Sequence, residues 1–194
     1  MKKTLLATLS LGLLVCLAGC QKPAAEHPEK AEIASSSRKT TTSTTTLPKI
    51  TVKAAIDRYQ RHYPQATLTG IELAPKLGQN HYTYELEGVD QTHAYTLALD
   101  AQSGKVLNKW QERLDADEQS GRAKREDGLA LNKLLTLKDV TKRAEKAAGS
   151  GKATKWSLER DDGITYWEVS VKAPHHEREV KLAAQSGKIL EIDD

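Results

Sequence analysis

Two serine–lysine pairs, four of the six histidines and two of the glutamates are the residues of this chain whose types and spacing could do chemistry. Ser103-Gly104-Lys105 and Ser186-Gly187-Lys188 each set a hydroxyl near an amine, the pairing a serine/lysine nucleophile would need. Each pair flanks a glycine, and no separate base or oxyanion hole accompanies either, so a structural turn at Gly104 and Gly187 is the expectation. His81, His93, His175 and His176 could ligate a metal, but no HExxH and no cysteine set goes with them. On a strand, His175 and His176 would point to opposite faces. Glu85 and Glu168 could form a carboxylate pair, yet strand alternation would put both on polar sheet faces, paired across strands with Lys or Arg. No catalytic residue, metal or cofactor is assigned, and no enzyme is expected.

The elements that position these residues come from a repeat. Residues 100–107 read DAQSGKVL and residues 183–190 read AAQSGKIL, at an offset of 83. Across Tyr84–Leu107 and Trp167–Leu190, 9 of 24 positions are identical, so one small fold occurs twice. Thr51 as N-cap, then Val52, Ala55, Ile56 and Tyr59, predicts a helix that ends at Tyr63-Pro64. Thr136, Leu137, Val140 and Ala144 repeat it at an offset of 85. The change of offset implies two extra residues in the first copy, placed in a turn at 77–80.

Strands are expected at 67–74, 81–87, 94–99 and 105–110, and again at 153–160, 165–171, 179–182 and 188–192. Tyr82, Tyr84 and Leu86 alternate with polar residues, as do Trp167, Val169 and Val171. Tyr82, Tyr84, Trp110, Trp156, Tyr166 and Trp167 are core candidates, with an exposed Trp156 or Tyr166 as the alternative that would mark a partner surface. The fold class is α+β: two tandem modules, 50–110 and 135–194, each one helix packed on a small antiparallel sheet. A charged linker, 111–134, joins them and is read as partly helical.

The N-terminal region has a different character. Lys2-Lys3 precede a 15-residue apolar run, Thr4 to Ala18, too short to span a bilayer as a helix. Leu17-Ala18-Gly19-Cys20 closes it and resembles the bacterial lipobox. The resemblance implies a signal peptide over 1–19, cleavage between Gly19 and Cys20, and a diacylglyceryl group on the Cys20 thiol. Two acyl chains anchor stably where one is marginal. Residues 20–49 are rich in Thr, Ser, Lys and Glu, cannot bury enough surface to fold, and read as a disordered stalk. Cys16 and Cys20 are the only cysteines, so no disulfide is expected in the exported chain. The net charge of +3 falls to +1 without Lys2 and Lys3, which gives no electrostatic case for nucleic acid.

Tyr84-Glu85-Leu86 with Asp100–Leu107, and Trp167-Glu168-Val169 with Ala184–Leu190, resemble the PepSY family. The resemblance implies a non-enzymatic extracytoplasmic module, since such domains occur in protease propeptides and in small secreted or lipid-anchored proteins. The expected partners are the membrane, through lipidated Cys20, and an extracellular protease or other envelope protein. The expected site is the cell membrane, or the outer membrane in a two-membrane bacterium. The alternative is a structural or adaptor envelope lipoprotein without inhibitory activity. Ala183, where the family has Asp, removes a carboxylate that would fix the turn.

Overall fold

The structure is a computed structural model that describes residues 48–76 and 81–194. Gly19, Cys20, nearly all of the stalk and the expected turn at 77–80 lie outside the described residues. The elements run α1 (Val52–His62), β1 (Thr67–Pro75), β2 (Tyr82–Val89), β3 (His93–Asp100) and β4 (Val106–Arg113) in the first half. A short helix, α2 (Arg122–Asp127), follows. The second half runs α3 (Leu137–Ala148), β5 (Lys152–Asp161), β6 (Ile164–Lys172), β7 (Glu177–Ala183) and β8 (Ile189–Asp193).

Both long helices start as their sequences predict. Thr51 Oγ1 accepts the Ala54 N–H at 3.2 Å, and Thr136 Oγ1 accepts the Asp139 N–H at 3.2 Å. A cap of this kind stabilises a helix by about 1 kcal/mol. Helical spacing then buries Ala55, Ile56 and Tyr59 on α1, and Val140, Ala144 and Ala148 on α3.

All eight strands form one antiparallel sheet in the order β4-β3-β2-β1-β5-β6-β7-β8. The two halves therefore join edge to edge, β1 against β5, which strand periodicity alone did not reveal. In the register, Ile71 faces Leu158, Glu72 faces Ser157 and Leu73 faces Trp156. At the offset of 85, Ile71 and Trp156, Glu72 and Ser157, and Leu73 and Leu158 are repeat mates, so exchanging the two copies maps this pairing onto itself and a local twofold axis passes through the Glu72–Ser157 pair. The hairpin partners agree: Pro75 faces Tyr82 where Arg160 faces Thr165, which puts the two extra residues of the first half between Pro75 and Tyr82.

One face of the sheet carries the core. Leu73, Tyr84, Leu99, Leu158, Trp167 and Leu182 are almost fully buried there with both long helices, in one continuous cluster. Each large apolar side chain so buried contributes roughly 1.5–3 kcal/mol of transfer free energy. Trp156 belongs to this core, its indole N–H donating to Thr141 Oγ1 at 3.0 Å, so it is no partner surface. Trp110 does not belong to it: the tryptophan expected in the core is 62% exposed on β4.

Residues 111–134 are tied down. Their first three residues extend β4, and Leu114 and Ala123 pack with Val89 in a satellite cluster. Leu129 N–H donates to Leu68 O, and Ala130 N–H to Thr165 Oγ1, so the segment holds both halves. Arg160 Nη1 adds a 2.6 Å bond to Gly128 O.

Candidate functional site

The repeated turns are built the same way. Gly104 N–H donates to Asp100 O and Gly187 N–H to Ala183 O, with φ of 72° and 70° at the two glycines. A left-handed backbone is what a glycine adopts without steric cost. A second constraint was not legible: a Cβ on Gly104 would lie 2.5 Å from Arg58 Cζ, and one on Gly187 would lie 2.7 Å from Arg143 Cδ. Arg58 and Arg143 are repeat mates on α1 and α3 that lie over the turns. Ser103 Oγ donates to Asp100 Oδ1 at 2.6 Å and accepts Lys105 N–H at 3.2 Å, so its hydroxyl serves the turn. Ser186 Oγ accepts Lys188 N–H at 3.3 Å, with Ala183 offering no carboxylate. Hydrogen bonds from Ser103 hold the Asp100 carboxyl below the usual range, with His81 3.4 Å away adding to the effect.

The histidines occupy hairpins. His93 O and His176 O accept the equivalent N–H groups of Asp90 and Ala173. His175 and His176 lie in the turn before β7, not on a strand, so the alternation argument does not apply to them. Among the described residues no cluster of three or more His, Cys, Asp or Glu side chains could hold a metal.

The face opposite the core carries the other half of the alternation. Glu168 pairs there with Lys181 at 3.6 Å. Glu85 does not follow: its strand neighbours are Glu72 and Ala98, and no Lys or Arg stands opposite it. The reason is local, because the repeat mate of Lys181 is Ala98. Glu72 instead pairs with Lys155 across the seam at 2.7 Å. Glu87, on the same face, is pushed above the usual carboxylate range by desolvation, then by Glu85, Glu72, Glu159 and Glu112. Tyr166 donates to Glu159 Oε2 at 3.2 Å, and burial raises its hydroxyl to about 12.

The two outer strands differ as docking edges. On the β8 side, Lys181 holds Glu191 at 2.8 Å, and Arg178 holds Asp194 at 2.5 Å. Such charges blunt an edge against pairing. On the β4 side, Trp110 stands on the open face opposite Thr96, beside a hollow of about 260 Å³ lined by Glu85, Thr96, Ala98 and Asn108. Lys109 and Arg113, opposite Leu97 and His93, lie on the other face of the same strand, which is exposed beyond its first residue. β4 is an outer strand of the sheet, and beside Trp110 the Lys109 N–H is bonded to Asn108 Oδ1 at 2.9 Å. A signal for this was present: in VLNKWQER neither alternating set is apolar, the pattern of a strand with no covered face.

The fold and these residues define a tandem α+β module, one unit repeated twice on a single sheet. The peptidase propeptide and YPEB domain model, PepSY, matches residues 49–110 and 134–193, more than half of the chain, and the chain belongs to that family. A solved structure of a putative lipoprotein from Clostridium difficile 630 is similar at 26% identity and a TM-score of 0.71, covering 75% of this chain and 93% of that one. The YpmB protein from Bacillus subtilis is matched at 17% identity and a TM-score of 0.31, over 73% of this chain and 94% of that one. Among curated proteins none shows significant similarity. Family and neighbour together support an extracytoplasmic, envelope-associated, non-catalytic module.

Proposed function

We propose that this chain is a membrane-anchored lipoprotein, attached through acylated Cys20, that binds another envelope or secreted protein and restrains an extracellular protease. The observation that carries the binding role is the β4 edge, with Trp110 62% exposed above its hollow. An extended segment of the partner adds to β4 through main-chain hydrogen bonds, and Trp110 supplies the side-chain anchor. The peptidase-propeptide family supports the choice of a protease as partner. The lipoprotein neighbour supports the anchor.

The test is capture from envelope and culture extracts on the full chain, with protease rates measured in parallel. A captured protease slowed by the chain is the expected result, with Trp110→Ala weakening capture by about 30-fold or more, as for an interface hot spot. Absence of any rate change with every captured protein sinks the restraining role. Mass spectrometry of the mature N-terminus tests Cys20: an unmodified cysteine there removes the anchor.

A structural or adaptor lipoprotein is the second reading, favoured by the carboxylates of Glu72, Glu85, Glu87 and Glu159 gathered on the open face. A captured envelope protein with no proteolytic activity would select it.

A further inference from the structure

We infer that a second site, separate from the β4 edge, binds a long-chain carboxylate in the groove between the first turns of α1 and α3. The groove has a volume of about 660 Å³, inside the range of small-molecule sites at roughly 300–1,000 Å³. Ile50, Val52, Leu131, Leu134, Leu135 and Leu137 line it, and all six are only half-buried. They account for most of the partly covered apolar residues that pack on the core, concentrated at one place. Ile56 and the buried ring of Tyr84 also line the groove.

Charge selects the occupant. Lys133 and Lys138 line the same groove, are exposed, and have no ion-pair partner among the described residues. Lys53, also at the groove, is already held by Asp57 at 2.8 Å. The positive ends of both long helices add to the field of the two free ammonium groups. Backbone donors there are confined to the helix starts: Thr51 and Thr136 cap Ala54 and Asp139 N–H, Leu135 N–H bonds Ala184 O, and the first-turn N–H groups of Val52, Lys53, Leu137 and Lys138 stand at the two helix ends. A peptide would need such donors along its length. A straight acyl chain needs only an apolar wall, with one anion at the end that meets the cations. Lys133 also stands at φ 53°, a left-handed backbone that a lysine adopts at a cost and that recurs at ligand clamps.

The full chain is titrated with a fluorescent polyene fatty acid, and the probe is displaced by palmitate, by shorter saturated acids and by methyl palmitate. One molecule is expected per chain, with affinity falling about fourfold per methylene removed. Methyl palmitate is expected to compete at least about tenfold more weakly than palmitate, since it cannot accept charge-assisted bonds. Lys133→Glu with Lys138→Glu lowers affinity by a similar factor and leaves thermal unfolding unchanged. Val52→Trp fills the groove and abolishes binding, and Trp110→Ala leaves binding intact. Equal competition by acid and ester, or binding indifferent to both groove variants, overturns the inference. So does a change of oligomeric size in the groove variants with no probe bound by the parent chain.

Discussion

Glu72 and Ser157 are the same position of the repeat, and they face each other across the seam between β1 and β5. The twofold axis they mark makes one sheet and one core out of two copies of a fold. The described residues should therefore unfold in a single transition. Leu158→Ala, at the seam and fully buried, is expected to cost about 2–5 kcal/mol and to lower that one transition. Calorimetry that resolves two transitions, with only the second half affected, would contradict a shared core.

Tyr84 and Trp167 are repeat mates with different hydrogen bonding. Tyr84 donates its hydroxyl to Ile50 O at 2.9 Å, whereas the buried indole N–H of Trp167 has no partner among the described residues. Tyr84→Phe leaves the Ile50 carbonyl unpaired near the start of α1 and should cost about 1 kcal/mol. Denaturant unfolding that gives no loss would mean that this bond adds nothing net.

Gly104 is required for two separable reasons, its positive φ and the guanidinium of Arg58 lying against it. Gly104→Ala should destabilise by about 1–2 kcal/mol from backbone conformation alone, plus the contact. Adding Arg58→Ala should recover the contact part and leave the backbone part. A double variant no more stable than Gly104→Ala would show that Arg58 yields freely.

Asp100 makes the first turn acid-sensitive. Its folded carboxyl lies below its ordinary value of 3.8 because Ser103 donates to it through both side chain and backbone. A depressed carboxylate stabilises the fold above that ordinary value, and the gain is lost as pH falls through the lower folded value. Asp100→Ala is expected to lower the melting temperature by about 2–4 °C at pH 7. The difference should shrink below pH 3.8. Melting curves that stay parallel down to the lowest pH would remove this role.

Glu87 works in the opposite sense. Desolvation, with Glu85 and its neighbours, raises its folded value above the ordinary 4.5. The folded state then holds the proton more tightly than the unfolded chain, so stability falls as pH rises through the window above 4.5. Glu87→Gln should raise the melting temperature by about 2 °C at pH 7 and change little well below the window. A lower melting temperature at pH 7 would show that Glu87 has a favourable partner that outweighs its acidic neighbours.

Helix starts, strand positions and buried faces were legible in the residues, because each depends on neighbours within one turn or one strand. Thr51 and Thr136 announce their helices, and Tyr82, Tyr84 and Leu86 announce their face. Gly104 was legible as a turn glycine, but Arg58 was not, since 46 positions separate the two and only the packing of α1 brings them together. Glu85 misled for the same reason: alternation sets the face of a side chain, while the residue opposite it depends on register with another strand. Trp110 misled because aromaticity says nothing about whether a further strand or helix lies beyond β4.

The sequence by itself determined that one α+β unit occurs twice, with what periodicity, and where its chain turns. Local sterics, capping and alternation suffice for that. Only the tertiary structure decided that β1 and β5 join the copies, that β4 and β8 remain as edges, and that the groove opens between α1 and α3. Strand joining uses backbone N–H and C=O groups, which every strand carries alike, so side-chain pattern cannot say which edges meet.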